Sequence, residues 1–327
     1  MKAWRVHELG EPADVLRLDD VPEPEPGAGQ VKVRVLGAAA NFPDLLMCRG
    51  QYQVRPPLPY TPGLELCGQV VATGPGVTGI ELGSRVVGGA VTPYGAFAEF
   101  TLMNAAGAFP APDSLTDSEA AAFFVSYQTG WFGLHLRAGL RSGETLLVQA
   151  AAGGVGSAAV QLGKAAGARV IGVVGGERKA EVARALGADV VIDRTSQDFV
   201  AVVKEVTGGR GADVIYDSVG GEVYGRSTKC VAFEGRILII GFASGQIPTA
   251  ALNHALIKNY SIVGLHWGLY QTKDPQTLVD CHAELTKLAD QGAIRPLVGD
   301  QMSLEQVPAG LQKLADGDTV GRVVFTP

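Results

Sequence analysis

A glycine-rich turn between an apolar run and a helical pattern is the segment whose residue types and spacing could do chemistry. Thr145–Val148 is short, mostly apolar and predicts a buried strand. Ala151-Ala152-Gly153-Gly154-Val155-Gly156 follows it. Gly153 would let the backbone approach a pyrophosphate, and Gly156 would let the next helix pack closely on the strand. Because the motif follows a strand and opens a helix, it predicts a dinucleotide-binding turn rather than a flexible loop.

The elements that would hold this turn follow from the order of strand and helix patterns along the chain. Residues 1 to about 123 are rich in strand patterns and turn clusters, whereas from Arg169 to Ile240 short apolar strands alternate with helical patterns. That alternation predicts a doubly wound parallel sheet. We therefore expect an α/β chain with a β-rich domain at 1–123, a dinucleotide-binding domain at 124–262, and a return of residues 263–327 to the first domain.

Composition limits the class of protein. The chain has 327 residues, 46% of them hydrophobic and 18% charged, with a net charge of −6 and no basic run. A nucleic-acid partner is therefore not expected. No apolar stretch has the length of a membrane span or the form of a signal segment, so we expect a cytoplasmic protein. The four cysteines lie far apart and form no metal or disulfide pattern.

Several short motifs occur in order along the chain. They are Gly27-Ala28-Gly29-Gln30-Val31, Asn41-Phe42-Pro43-Asp44, Pro62-Gly63-Leu64-Glu65-Leu66-Cys67-Gly68, Gly83-Ser84-Arg85-Val86, Gly95-Ala96-Phe97-Ala98-Glu99 and the glycine turn. Together they resemble the medium-chain dehydrogenase/reductase superfamily over essentially the whole chain, and within it the zinc-independent quinone oxidoreductases of the ζ-crystallin group. The resemblance implies a GroES-like domain, a Rossmann domain, a cofactor in the cleft between them and a homodimer.

The resemblance also separates zinc-dependent from zinc-independent members. Zinc-dependent relatives carry Cys where Asn41 stands and His where Leu64 stands, so that only Glu65 remains of the ligand set. Catalytic zinc needs about three protein ligands. The closely spaced cysteines of a structural zinc lobe are absent as well, since no Cys lies between Cys67 and Cys230. We therefore predict no metal.

The residues after the second strand of the dinucleotide-binding domain distinguish NAD from NADP. An NAD enzyme would place Asp or Glu there, roughly 20 residues after the glycines, to bind the ribose 2′-hydroxyl. This chain has Val174-Gly175-Gly176 instead, although Glu177 follows on the next helix. The resemblance implies that Lys179 and Arg194 each contact the 2′-phosphate. Loss of the acid and gain of cations suit a phosphate, so we predict NADP(H).

The other cofactor contacts are also implied by the resemblance. Thr129 corresponds to a threonine near the nicotinamide, and Asn41 would hydrogen-bond the nicotinamide ribose or order a water there. The remaining residues follow strand ends, where open α/β sheets bind ligands, or form the loop expected to hold the carboxamide. They are Ser218, Val219, Phe242, Ala243, Leu265, His266 and Trp267.

Hydride transfer to a quinone or an enone creates an oxyanion or enolate that must be stabilised and protonated. Asn41, Tyr52 and Tyr60 are the candidate catalytic residues, although either tyrosine could instead be a packing residue. We predict an NADPH-dependent reductase of quinones or related α,β-unsaturated carbonyls that acts on a small molecule. Two alternatives stay open: a reductase of enoyl thioesters such as acyl-CoA, and a non-catalytic NADPH-binding or RNA-binding protein.

Overall fold

The computed structural model describes residues 1–327, which form two compact units. Unit 1 comprises Met1–Val125 and Arg295–Pro327, and unit 2 comprises Ser126–Ile294. Fifteen strands are present: β1 Lys2–Val6, β2 Leu16–Asp20, β3 Gln30–Ala39, β4 Glu65–Thr73, β5 Arg85–Gly89, β6 Phe100–Asn104, β7 Ala108–Pro110, β8 Thr145–Val148, β9 Arg169–Val174, β10 Val190–Asp193, β11 Ala212–Asp217, β12 Val231–Ile239, β13 Ser261–Gly264, β14 Val298–Ser303 and β15 Arg322–Thr326.

Twelve α-helices accompany these strands. They are α1 Pro12–Val15, α2 Phe42–Cys48, α3 Asp117–Ala121, α4 Phe124–Trp131, α5 Gly154–Ala165, α6 Glu177–Ala185, α7 Phe199–Val206, α8 Gly221–Ser227, α9 Leu252–Lys258, α10 Tyr270–Lys273, α11 Pro275–Asp290 and α12 Val307–Ala315. A π-helical stretch, Phe132–Arg137, follows α4 directly. No helix combines the length and the apolar character needed to cross a bilayer.

The predicted return of the chain at residue 263 is wrong, because the chain stays in unit 2 through Ile294. β13 is the edge strand of the unit 2 sheet and pairs with β12. Glu284 on the following α11 accepts a hydrogen bond of 2.9 Å from Trp131 Nε1, within the same unit. The sequence pattern shows that α11 is a helix, but it does not show which sheet the helix covers.

Unit 1 is built on a seven-stranded sheet. Its order is β14-β15-β3-β4-β5-β7, and β6 pairs with the first half of β3. All of these pairings are antiparallel except that of β14 with β15. The last strand reaches the core of the unit, where Phe325 packs edge-on against Phe97 with ring centroids 5.2 Å apart. The predicted β-rich domain is confirmed, with its closing strand supplied by the C-terminal segment.

Unit 2 is built on a six-stranded parallel sheet. Its order is β10-β9-β8-β11-β12-β13, and every neighbouring pair is parallel. Numbered within the unit, this is the 3-2-1-4-5-6 order of a doubly wound dinucleotide-binding sheet. β8 has the bounds predicted above, and β9 matches the strand that the apolar run at residues 169–174 predicts. The predicted fold class is confirmed.

The start of α5 lies unusually close to the turn that follows β8. A Cβ placed on Gly156 would lie 2.1 Å from the carbonyl oxygen of Ala150, a separation that no side chain can occupy. Beyond this contact, Ala158, Ala159 and Leu162 are fully buried. The packing role predicted for Gly156 therefore has a direct steric cause.

Gly156→Ala should destabilise unit 2, because the added methyl group must displace the backbone of Ala150. We expect a loss of about 1–3 kcal/mol in the free energy of unfolding, measured by denaturant or thermal unfolding. Gly225→Ala in α8 is the matched control, since a Cβ there meets no atom within 4 Å. It should stabilise the helix by roughly 0.5–1 kcal/mol. Equal stability of the Gly156 variant and the wild type would contradict the packing assignment.

Candidate functional site

The glycine turn presents the N-terminus of α5 at the end of β8. Gly153 is the N-cap residue of α5, and its N–H donates to Ala150 O at 2.9 Å. Within α5 itself, the first N–H that bonds back to the turn is that of Ser157, to Gly153 O at 2.8 Å. The N–H groups of the residues between them, Gly154, Val155 and Gly156, therefore belong to the unpaired first turn that attracts anions. A dinucleotide pyrophosphate fits this cradle.

A cation lies over Gly175, the first of the two glycines that follow β9. A Cβ on Gly175 would lie 3.2 Å from an Nη atom of Arg194, and the exposed Arg194 therefore covers this glycine directly. Lys179 is half-buried in the first turn of α6. Glu177 is committed elsewhere, because its carboxylate pairs with Arg184 at 2.7 Å. The structure thus brings together Gly175, Gly176 and Arg194, as the sequence analysis expected.

Asp193 is a participant that the sequence analysis missed. Its Oδ1 accepts hydrogen bonds from the N–H of Gly176 at 2.9 Å and from the N–H of Thr195 at 3.0 Å. These bonds hold the pKa of the Asp193 carboxyl below its usual value. The carboxylate ties the end of β9 to the end of β10 and so places Arg194. The only sequence signal was an acid directly after the strand predicted at residues 189–192.

A second set of predicted residues lies at the carboxyl ends of β11 and β12. Ala243 N donates to Ser218 O, and Ser244 N donates to Val219 O, both at 3.0 Å. Phe242 packs against the loop after β11, since a Cβ on Gly220 would lie 2.7 Å from its ring. The two loops therefore form one continuous edge, as expected for neighbouring parallel strands.

Asp217 holds the loop after β11 through hydrogen bonds to its backbone, and the sequence did not predict this role. It is 1% exposed, and its Oδ1 accepts hydrogen bonds of 2.9 Å from the N–H groups of Val219 and Gly220. Its Oδ2 is buried and makes no hydrogen bond within the protein. Burial raises the pKa of the Asp217 carboxyl, and the two backbone hydrogen bonds oppose that rise.

The loop after β13 joins the same edge. Leu265 N donates to Ile239 O at 3.1 Å, and Trp267 Nε1 donates to Gln128 Oε1 at 3.1 Å. Gln128 is fully buried, and its amide nitrogen has no hydrogen-bond partner in the protein. It lies next to the predicted contact Thr129 in α4. The exposed His266 completes the loop.

Asn41 belongs to a buried polar network in unit 1. Its side-chain nitrogen donates to Ala39 O at 3.1 Å and to Glu65 Oε1 at 3.0 Å, while its oxygen accepts from Arg322 Nη2 at 2.9 Å. Arg322 also pairs with Glu65, and both side chains are at least 95% buried. Both N–H groups of the Asn41 side chain therefore donate hydrogen bonds inside the unit. Its side-chain oxygen accepts one hydrogen bond and can accept another.

Glu65 and Asp44 are the buried carboxylates of unit 1. Burial raises the pKa of Asp44 to about 7, although its oxygens accept hydrogen bonds from Asn41 N at 2.8 Å and Gly63 N at 3.1 Å. Burial also raises the pKa of Glu65 against the opposing charge of Arg322. Nowhere does the protein hold a group of three or more His, Cys, Asp and Glu side chains that could bind a metal ion.

The two candidate tyrosines differ in access. Tyr60 is 1% exposed, its hydroxyl has no hydrogen-bond partner, and burial strongly raises its pKa. Tyr60 is a core residue of unit 1, so its prediction as a catalytic residue is wrong. Tyr52 is half-buried at the margin of the same core, and burial followed by the charge of Asp44 raises its pKa. Tyr52 therefore stays protonated and can donate.

Comparisons with known proteins cover both units. The alcohol dehydrogenase GroES-like domain family matches residues 27–113, and the zinc-binding dehydrogenase family matches residues 154–284. The quinone oxidoreductase-like protein 2 homolog of Nematostella vectensis is 38% identical over 326 residues, which are 99% of this chain and 88% of that protein.

Two solved structures with the same fold are described with different nicotinamide cofactors. Escherichia coli quinone oxidoreductase complexed with NADPH is 30% identical, with a TM-score of 0.93 and 100% of both chains covered. An NAD-dependent alcohol dehydrogenase is 31% identical, with a TM-score of 0.88 and 100% of both chains covered. The fold and the glycine turn therefore define a dehydrogenase/reductase, but they leave the choice of cofactor to local residues.

The chain belongs to the medium-chain dehydrogenase/reductase superfamily, in its quinone oxidoreductase group. It is an oxidoreductase with a GroES-like unit and a dinucleotide-binding unit. The resemblance inferred from the motifs is confirmed.

Proposed function

We propose that the protein is a zinc-independent reductase that uses NADPH to reduce quinones or related α,β-unsaturated carbonyl compounds. The observation that carries the proposal is the guanidinium of Arg194 over Gly175, at the strand end where an NAD enzyme would carry an acid. The similarity to a quinone oxidoreductase complexed with NADPH supports the same reading.

The residues of unit 2 suit the two anionic parts of NADPH. The N-terminus of α5 would hold the pyrophosphate. Arg194 and Lys179 would hold the 2′-phosphate, because a guanidinium can donate two hydrogen bonds to phosphate and an ammonium adds charge. Repulsion between Glu177 and that phosphate would be reduced, because the Glu177 carboxylate pairs with Arg184. When bound, NADPH supplies the hydride.

Zinc independence is supported by the surroundings of Glu65. The guanidinium of Arg322 and the amide of Asn41 already bind this carboxylate in the buried interior. A divalent cation at the same carboxylate would have to lie beside a buried guanidinium, which is unfavourable at low dielectric. Leu64 offers no ligand atom.

Tyr52 is the proposed proton donor for the reduced product, because it is the candidate tyrosine with solvent access. Its hydroxyl makes no hydrogen bond within the protein, so its proton is not committed elsewhere. Asn41 would act through its carbonyl oxygen and as a positioning residue, since its N–H groups are engaged by Ala39 and Glu65.

A homodimer is also proposed. β13 is an edge strand with no further partner in the sheet, and exposed edges are common pairing sites. Apolar side chains that are at least 70% exposed occur in and after the neighbouring β12; they are Phe233, Ile247, Leu252, Leu256 and Ile257. Such a concentration is typical of a protein interface. Light scattering tests the assembly, because each chain contributes 34.0 kDa.

The proposed function is tested by NADPH oxidation with 1,4-quinones and with enoyl thioesters, before and after prolonged treatment with a zinc chelator. Quinone-dependent turnover that survives the chelator is the expected result. Turnover only with thioesters would move the function to enoyl reduction, and turnover abolished by the chelator and restored by zinc would contradict zinc independence.

Arg194→Gln should weaken NADPH binding far more than NADH binding, because only NADPH carries the 2′-phosphate. A charged hydrogen bond contributes about 1.5–3 kcal/mol, so we expect roughly a 10- to 100-fold rise in Kd for NADPH by fluorescence titration. Lys179→Gln should act in the same direction. Arg178→Gln, a neighbouring exposed cation, is the matched control. Equal weakening of both cofactors by Arg194→Gln would remove Arg194 from the phosphate site.

Tyr52→Phe should lower kcat by about 100-fold or more, which is the usual contribution of a general acid, while the Kd for NADPH stays unchanged. Stopped-flow measurement of NADPH oxidation, with separate cofactor titration, distinguishes the two effects. Tyr94→Phe, at an exposed tyrosine of the same unit, controls for loss of a hydroxyl. An unchanged kcat in Tyr52→Phe would show that water or another group supplies the proton.

A further inference from the structure

A cavity of about 220 Å³ lies in unit 2, at the carboxyl end of β13. Three elements surround it: the end of the π-helical stretch, the loop after β13, and α10. The side chains that form its wall are Arg137, Leu265, His266, Leu269, Tyr270 and Lys273. Two of these residues, Leu265 and His266, belong to the loop that the sequence analysis associated with the cofactor.

The charges around this cavity all have one sign. Arg137 and Lys273 are cationic, and no acidic residue lines the cavity. Neither Arg137 nor Lys273 forms an ion pair, and the only hydrogen bond of the Arg137 side chain runs from Nε to Gly264 O at 3.1 Å. That bond fixes the stem of Arg137 and leaves its terminal nitrogens available. An uncompensated basic cavity is notable in a chain of net charge −6.

The rest of the cavity wall is apolar, and part of it packs on the buried interior of unit 2. The ring of Tyr270 packs on Phe132 with centroids 4.4 Å apart, and Phe132 is fully buried. Leu265 and Leu269 complete this side. A ligand of this cavity would therefore combine an anionic group with an apolar or aromatic portion.

The cavity is separate from the site expected to read the 2′-phosphate of NADPH. Arg194 lies at the end of β10 beside β9, whereas the cavity lies at the end of β13. In the sheet order, β9 and β13 are separated by β8, β11 and β12. Four strand spacings amount to roughly 19 Å. One phosphate cannot serve both groups of cations.

We propose that this cavity binds the anionic end of the substrate, and that the preferred substrate is an α,β-unsaturated carbonyl compound carrying a phosphate, as in a coenzyme A thioester. The inference rests on the proposed reductase function and narrows its substrate class. Arg137 and Lys273 are the specificity residues, and Leu265, Leu269 and Tyr270 accept the adjoining apolar portion.

Matched pairs of acceptors test the inference by steady-state kinetics at saturating NADPH. Crotonyl-CoA is compared with crotonyl-pantetheine, which has the same enone but lacks the nucleotide phosphates, and a sulfonated naphthoquinone is compared with the unsulfonated quinone. We expect kcat/KM to be at least about tenfold higher for crotonyl-CoA than for crotonyl-pantetheine, mainly through KM. If the thioester preference is found, a similar preference for the sulfonated quinone would show that the cavity recognises anions in general, and equal turnover of the two quinones would show that it is selective for phosphate.

Arg137→Gln and Lys273→Gln should each reduce the ratio of kcat/KM values within the thioester pair, and the double variant should bring it close to one. Lys229→Gln removes the same charge from an exposed lysine elsewhere in unit 2 and should keep the wild-type ratio. Thermal unfolding verifies that the variants are folded. A ratio that stays at the wild-type value in the double variant would overturn the assignment of these two residues.

Failure of the inference and failure of the proposed function give different results. Turnover of the unsulfonated quinone and of crotonyl-pantetheine at the same efficiency as their charged partners would overturn the anion site and leave the reductase intact. No turnover of any acceptor would refute the reductase function. The cavity is then tested by titrating the NADPH-saturated protein with adenosine 3′,5′-bisphosphate. Binding weakened by Arg137→Gln and Lys273→Gln would support the site, whereas no binding or unaltered binding would overturn it.

Discussion

The close contact between α5 and the turn after β8 is the constraint on which unit 2 depends. Only a glycine at position 156 lets the helix begin directly over the carbonyl of Ala150. As a consequence, the unpaired N–H groups of the helix lie at the edge of the sheet where the loops after β9, β11, β12 and β13 also emerge. One steric requirement thus positions the pyrophosphate cradle relative to every other ligand-facing loop of the unit.

Unit 1 depends instead on the satisfaction of two buried carboxylates. Glu65 is held by Arg322, Asn41 and the N–H of Val125, and Asp44 is held by two backbone N–H groups. Removing one partner of a buried ion pair commonly costs about 3–5 kcal/mol. The guanidinium of Arg322 provides the opposite charge for the buried Glu65, so this carboxylate does not need a bound metal ion to balance its charge. The first role of Asn41 in this network is structural.

Local pattern predicted much of the fold and part of the site. β8 and β9 were located correctly because a short, mostly apolar run next to glycine turns is typical of a buried strand. Gly175 and Arg194 were expected near one another from the resemblance. Asp193, Asp217 and Gln128 were missed because their importance lies in hydrogen bonds to backbone groups and side chains of other elements. Tyr60 was misassigned because sequence does not report burial, and residues 263–294 were misassigned because periodicity does not report the packing partner.

The sequence by itself determined the class of fold, the phosphate-binding turn, and the absence of an acid at the end of the second strand of unit 2, because each depends on residue types at fixed local spacing. Only the tertiary structure decided how polar groups are paired. In the folded chain the Asn41 amide donates to Glu65, Glu177 pairs with Arg184, and Tyr60 is buried. It also grouped Arg137 and Lys273, more than a hundred residues apart in the sequence, around one acid-free cavity. Charge and hydrogen-bond partners are set by distance in space, which residue spacing along a chain does not encode beyond a few turns.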